Sequence, residues 1–240
     1  MLLVQRCHQL DAVFATLTPH VRRDIVQLVE AMSAGMIWSS RTFAQQSGVL
    51  RDASQLSRYC QNVIGQPFLF SVRLLLERKT GDDTVSDALR QDVLVAGEMV
   101  QLANVTRDIE KDLARGVAYH PALAGDLGRT DREEPALAER IRAVREDLLL
   151  RALVLAPSYE RMMAALPFRT FSLARASGVL MLLFTDRYYR SCATRVGRPA
   201  WPGPTSTLTL MALTFAHFAS QTWSWATVRR IRERFVQHAG

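Results

Sequence analysis

Cysteine is scarce in this chain: Cys7, Cys60 and Cys192 are the only three in 240 residues. So few, odd in number and scattered, they exclude a disulfide framework and imply a reducing, cytoplasmic setting. No glycine-rich phosphate loop is present. The five histidines show no metal-ligand spacing with one another or with cysteine, and no base stands at nucleophile spacing from a serine or cysteine. Zinc-site and triad chemistry are therefore set aside. No run alternates apolar and polar residues as a half-buried strand does. Aromatic and basic residues do not interleave, which ranks nucleic acid last among anionic partners. Long apolar runs are missing too. The most membrane-like stretch, Leu208 to Val228, contains His217, Gln221 and several Ser and Thr, and reads as a buried or interfacial helix rather than a span. At the start, Met1 to Val4 meets Gln5, Arg6 and His8 too early for a signal-peptide core.

What is present is an ordinary globular balance, 48% hydrophobic and 22% charged residues, in a length that supports one sizeable core. The net charge of +7 favours an anionic partner, such as a polyphosphate or an acidic membrane surface. Apolar residues recur at spacings of three and four through about 21–38, 52–78, 84–114, 133–166, 168–195 and 205–236. Turn residues separate these runs at Thr80 to Asp83, Pro121 to Pro135 and Gly197 to Pro204. The expectation is one all-α domain over 1–240. Trp201, Trp223 and Trp225 either cover a core edge or sit at a membrane interface, and the basic tail from Arg229 to Arg234 suits an acidic lipid surface or simply a helix C-terminus.

The most informative stretch runs from Gln101 to Asp112 on one predicted helix. At 100° per residue Gln101, Asn104, Asp108 and Asp112 project within an arc of roughly 80°. Val95, Met99, Leu102, Val105, Ile109 and Leu113 form the neighbouring apolar flank, which faces a core. Two carboxylates and two amides beside a buried face need partners. A solvated face with i,i+4 ion pairs is the bland alternative. Hard cations such as Mg²⁺ take this kind of oxygen donor, usually one or two carboxylates plus substrate phosphates. Glu110 falls off the arc, and Lys111 brings a cation close to it.

Two further stretches belong with this helix. Arg58-Tyr59-Cys60-Gln61-Asn62-Val63-Ile64-Gly65 puts Tyr59 and Val63 one turn apart, with Gly65 permitting close helix approach. Ala114-Arg115-Gly116-Val117-Ala118-Tyr119-His120-Pro121 breaks the acidic helix and continues as a short extended piece. In this order the stretches resemble the squalene/phytoene synthase family. Its tyrosine motif, Y-C-x-x-V-x-G, is matched by Tyr59, Cys60, Val63 and Gly65. Its second aspartate-rich motif, Q-x-x-N-x-x-R-D-x-x-x-D followed by R-G-x-x-Y-x-P, is matched by Gln101, Asn104, Arg107, Asp108, Asp112, Arg115, Gly116, Tyr119 and Pro121. The segment Ala31 to Met36 is similar as well, and the resemblance is strongest over 20–190.

The resemblance implies a single helical domain of the isoprenoid synthase type and head-to-head condensation of two isoprenyl diphosphates, farnesyl or geranylgeranyl. It implies Mg²⁺ held by Asn104, Asp108 and Asp112, phosphate clamping by Arg73, Gln101, Arg115 and Tyr119, and catalytic roles for Tyr59 and Arg107. C15 against C20 substrate, squalene- against phytoene-type product, and a following NADPH-dependent reduction all stay open. The family also carries a first aspartate-rich motif on an earlier helix, and Asp11, Asp24 and Glu30 do not supply it. The expectation is an N-terminally incomplete domain with a cavity open on one side. Three readings follow: an enzyme whose first motif comes from a partner chain or from upstream sequence, a non-catalytic relative that binds prenyl lipid or assists assembly, and an unrelated helical protein. Pro67, just after the tyrosine motif, is expected to bend or break its helix.

Overall fold

The computed structural model describes residues 7–81, 84–129 and 134–240, leaving aside the side chains of Cys7, His8 and Lys79. The apolar start Met1 to Val4, the Asp82-Asp83 part of one break and residues 130–133 of another lie outside the described residues. Among the described residues ten α-helices run in order: α1 (Cys7–Thr16), α2 (Pro19–Gln45), α3 (Ala53–Cys60), α4 (Gln66–Thr80), α5 (Asp87–Ala114), α6 (Pro135–Leu153), α7 (Ala156–Ala165), α8 (Leu173–Arg195), α9 (Thr207–Ala219) and α10 (Gln221–Ala239). A π-helical turn, Gln61–Gly65, joins α3 to α4, and a 3-10 turn spans Pro121–Asp126. Among the described residues the only strand-like pairing is one isolated bridge, Val49 to Ala118. The fold is all-α, as the periodicity implied.

The ends of the helices follow local chemistry. The Asp52 carboxylate accepts from the backbone N–H groups of Ser54 (2.8 Å) and Gln55 (2.9 Å) and starts α3. Ser86 caps α5, Ser172 caps α8 and Ser220 caps α10. These caps also explain where the expected runs divide. The 205–236 run breaks at Ser220, and the 133–166 run breaks before Ala156, with Pro157 in the first turn of α7. The 168–195 run starts late, at Leu173, because the Ser172 hydroxyl accepts from Arg175 N–H and caps the helix there.

Pro67 does not break its helix. It sits in the first turn of α4, and the π turn just before it widens the helix where the proline ring and its missing N–H would otherwise collide with the preceding turn. The chain stays helical from Ala53 to Thr80.

The centre is α5, which packs against the π turn, α6, α7 and α8. Its flank of Met99, Leu102, Val105, Ile109 and Leu113 is buried, as the pattern predicted. The other flank approaches the π turn at backbone distance. A Cβ on Gly97 would lie 2.5 Å from Gly65 Cα and 2.6 Å from Gly65 N. Beside this crossing the buried Glu98 carboxylate accepts from Ser57 Oγ (2.8 Å), Gln61 Nε2 (3.1 Å) and Arg151 Nη2 (3.0 Å). One carboxylate thus ties α3, the π turn and α6 to α5.

Gly97→Ala has no flexible side chain to push aside at this crossing, only backbone. It is expected to destabilise the fold by about 2 kcal/mol or more, a fall in melting temperature of roughly 4–8 °C for a chain of this size, read by thermal denaturation. A melting temperature within a degree of the parent would contradict the close crossing.

Candidate active site

Gln101, Asn104, Asp108 and Asp112 follow Gly97 along the same side of α5. Gln101 is buried, and its Oε1 accepts from Asn104 Nδ2 at 3.1 Å. The two carboxylates are neither sealed in nor turned to bulk solvent: their side chains are 29% and 19% exposed for Asp108 and Asp112. The stripe is thus half-open.

Facing it are aromatic side chains from three separate segments. The Tyr59 and Tyr119 hydroxyls are 3.3 Å apart. Phe43 of α2 meets both rings edge-on, with centroids 6.2 Å from Tyr59 and 6.0 Å from Tyr119. Tyr59 arrives on α3, held by the Glu98 clamp. Tyr119 arrives on the extended piece after α5, where Ala118 donates to the Gly48 carbonyl (2.8 Å) and accepts from Leu50 N–H (2.9 Å). Gly48 has φ +87°, and a Cβ there would lie 2.2 Å from the Gly116 carbonyl oxygen. Only glycine lets these two loops meet.

The two carboxylates sit in different electrostatic surroundings. Arg107 grips Asp108 through Nε (3.0 Å) and Nη2 (2.6 Å), and these hydrogen bonds hold its carboxyl below the usual carboxylate range. Burial pushes Asp112 the other way, offset in part by the Tyr119 hydroxyl, with Asp108 adding repulsion. Arg115 stands 3.8 Å from an Asp112 oxygen and is largely exposed. Burial raises both tyrosines above their ordinary value, so the Tyr59–Tyr119 pair is protonated throughout the neutral range.

The remaining expected residues fall differently. Arg73 donates to Gln27 Oε1 at 2.8 Å across the α2–α4 crossing and is not among the hydrogen-bond partners of the stripe. Glu110 pairs with Arg145 at 2.6 Å, consistent with its place off the arc, and Lys111 is exposed. Cys60 is buried, and burial raises its thiol far from reactivity.

Sequence reasoning missed a second wall. A cleft of about 420 Å³ opens where α5 meets α8, with Arg107, Arg145, Arg187, Tyr188, Ser191 and Arg195 among its lining residues. The Arg107 guanidinium lies 5.3 Å from the centre of the Tyr188 ring, which joins this cleft to the Asp108 carboxylate. The signal was there in outline: Arg187, Ser191 and Arg195 repeat at i, i+4, i+8 on one side of α8. Phe43 carried no signal at all. An apolar cavity of about 250 Å³ lies elsewhere, between α4, α7 and α8, lined by Phe68, Val72, Tyr159, Met162 and Met181 among others.

Among the described residues no group of three or more His, Cys, Asp and Glu side chains is placed to hold a metal. The donor set therefore does not make a closed protein cage. Two carboxylates and an amide on one helix side do fit a Mg²⁺ ion that shares its coordination with diphosphate oxygens.

A helical fold with an amide- and carboxylate-bearing stripe opposite a tyrosine pair defines an isoprenoid-synthase type of protein. The squalene/phytoene synthase family model matches residues 3–205, most of the chain, and the chain belongs to that family. The alternative of an unrelated helical protein is thereby removed. No curated protein sequence matches the chain significantly.

Titration distinguishes the two carboxylates. With its folded pKa raised, Asp112 binds more proton in the folded state, so its contribution to stability falls as pH rises from the ordinary carboxylate value to the raised one. Asp108 has the opposite sign: its contribution is present above the ordinary value and is lost as pH falls through the depressed one. At pH 7, Asp112→Asn is expected to raise the melting temperature by about 1–3 °C, a gain that disappears below about pH 3. Asp108→Asn is expected to lower it slightly. Melting curves across pH check both signs, and destabilisation by Asp112→Asn at neutral pH would contradict the assignment.

Proposed function

We propose that this chain binds farnesyl or geranylgeranyl diphosphate and serves head-to-head condensation to squalene- or phytoene-type products. The observation that supports this reading most directly is the half-open stripe of Asn104, Asp108 and Asp112 opposite the protonated Tyr59–Tyr119 pair, in a chain of this family.

Asn104, Asp108 and Asp112 are the residues that would hold Mg²⁺. When bound, the ion supplies positive charge against the negative charge that develops on departing diphosphate. The protein's own groups do the rest. Arg115, exposed at the end of α5, would reach phosphate oxygens, and Arg107, which grips Asp108, would serve a diphosphate only by exchanging that bond. Gln101 fixes the Asn104 amide so that its oxygen points outward. Tyr119 and Tyr59 remain O–H donors at neutral pH, one to the leaving group, the other presenting its ring face to cationic carbon. The apolar cavity between α4, α7 and α8 suits a prenyl tail. Arg73, held by Gln27, would reach a phosphate only by exchanging that bond.

Two carboxylates leave a diphosphate and its metal ions poorly balanced for ionisation. An acidic helix from a partner chain would complete the set. The second reading, a non-catalytic relative that binds prenyl lipid or assists assembly, is favoured by the bidentate Arg107–Asp108 bond, which occupies one of the two carboxylates.

The test supplies the purified chain with Mg²⁺ and either diphosphate, and follows binding, diphosphate release and hydrocarbon product by mass spectrometry beside an Asp108→Asn control. Mg²⁺-dependent binding weakened at least about tenfold in the control, with release that the control lacks, is the expected result. The product mass distinguishes C15 from C20 chemistry and shows whether added NADPH reduces it. Binding without release, alone or with an acidic partner, would assign the non-catalytic reading. Neither binding nor release would contradict both.

A further inference from the structure

Helix α9 contains no Asp, Glu, Lys or Arg. On its outer side Leu208, Met211 and Phe215, at i, i+3 and i+7, form one stripe, and Leu208 and Phe215 are 79% and 78% exposed. Its C-terminal end is pinned. The buried Arg175 donates to the His217 carbonyl (3.3 Å) and the Phe218 carbonyl (3.0 Å), and Ser172 N–H donates to the same Phe218 oxygen (3.4 Å). Pinning brings the turn before α8 against α9 and adds Phe171 and Leu173 to the exposed stripe, with the Phe171 ring 5.7 Å from that of Phe218. Trp223, half exposed at the start of α10, lies 5.8 Å from the His217 ring. Burial, with Arg175 and Arg230 nearby, holds the His217 imidazole below its usual range, so α9 presents no charge at neutral pH.

Five large apolar side chains (Leu208, Met211, Phe215, Phe171 and Leu173) on one water-facing surface exceed what scattered exposure accounts for. The charges around them indicate what covers it. Arg169 stands two residues before Phe171, and Arg230 stands seven after Trp223, on the same side of α10. Both are exposed, and neither makes an ion pair among the described residues. At the other end of α9, Arg187 donates to the Thr207 hydroxyl (3.0 Å) and has no carboxylate partner among the described residues. The nearby acids are already engaged: Asp186 is buried against Arg190 and Trp201, and Glu233 lies beside Arg232. The surface is therefore apolar at its centre and has an uncompensated cationic rim. That is the composition of an interfacial helix on anionic lipid. No described helix is long and apolar enough to cross a membrane, so contact would be from one side.

The apolar cavity adds a second, independent observation. Three of its lining residues on α8, Ala174, Ser177 and Met181, are exposed, and Ala174 directly follows Leu173 of the stripe. The cavity thus opens beside the apolar surface. We propose that the α9 face docks on an anionic phospholipid bilayer, placing the mouth of this cavity at the lipid boundary. The proposal rests on the surface and the cavity, and does not require the chemistry assigned to Asp108 and Asp112.

Flotation of the full chain with phosphatidylcholine vesicles containing roughly one third phosphatidylglycerol tests it, against vesicles of phosphatidylcholine alone. The paired variants Leu208→Glu with Phe215→Glu, and Arg169→Ala with Arg230→Ala, change only exposed side chains, and their melting curves confirm folding. The parent is expected to float with the anionic vesicles, and each pair to partition at least about tenfold more weakly. A parent that stays down with anionic vesicles, or a glutamate pair that floats like the parent, would overturn the proposal. So would a parent that is dimeric, binds no vesicle and becomes monomeric in the glutamate pair, which would give this face to a second copy of the chain.

Discussion

A Cβ on Gly97 would sit 2.5 Å from the Cα of Gly65, and the missing side chain is what lets the π turn lie directly on α5. The crossing places two helices at backbone distance, and Glu98 locks them there through Ser57, Gln61 and Arg151. A buried carboxylate satisfied by three donors, one of them charged, is expensive to break, since loss of one partner leaves the others uncompensated. Everything at the candidate site is measured from this point. Tyr59 lies just before the π turn, and Gln101 follows Gly97 by one turn, so the crossing sets the distance between the tyrosine wall and the stripe.

From that fixed base the stripe grades from structural to chemical. Glu98 and Gln101 are buried and fully engaged, Asn104 is half-buried and held by Gln101, and Asp108 and Asp112 emerge into a half-open space. The two carboxylates then divide by environment. Asp108 is neutralised by a guanidinium it can release, and Asp112 is pressed by burial toward its protonated form. A cation arriving between them would relieve both conditions at once, by replacing Arg107 and by favouring ionised Asp112. The α5–α8 cleft, with Arg187 and Arg195, extends the positive field on the side where a released Arg107 would turn.

Much of this was legible in the residues. The 3.6-residue period located the helices, and the arc from Gln101 to Asp112 predicted a polar stripe beside a buried flank, because periodicity reports directly which side of a helix faces the core. Gly65 signalled close approach, although its contact, Gly97, is invisible without the packing. The π turn was not legible: Pro67 predicted a bend or a break, and whether the preceding helix breaks or widens depends on what lies against it. Phe43 and the arginines of α8 were missed for a similar reason, since residues brought together from distant segments leave no mark in local spacing. Arg73 illustrates the converse. A cation near a motif in sequence found its partner, Gln27, on another helix.

On the proposed function, Asp108 and Asp112 would make a cation site only together with a diphosphate. Titration of Mn²⁺, observed by electron paramagnetic resonance, with and without an unreactive thiolo-diphosphate analogue of farnesyl diphosphate, tests it most directly. The account predicts weak Mn²⁺ binding by the chain alone, tight binding once the analogue is present, and loss of that coupling in Asp112→Asn. Mn²⁺ binding that is indifferent to the analogue, or unchanged by Asp112→Asn, would contradict it.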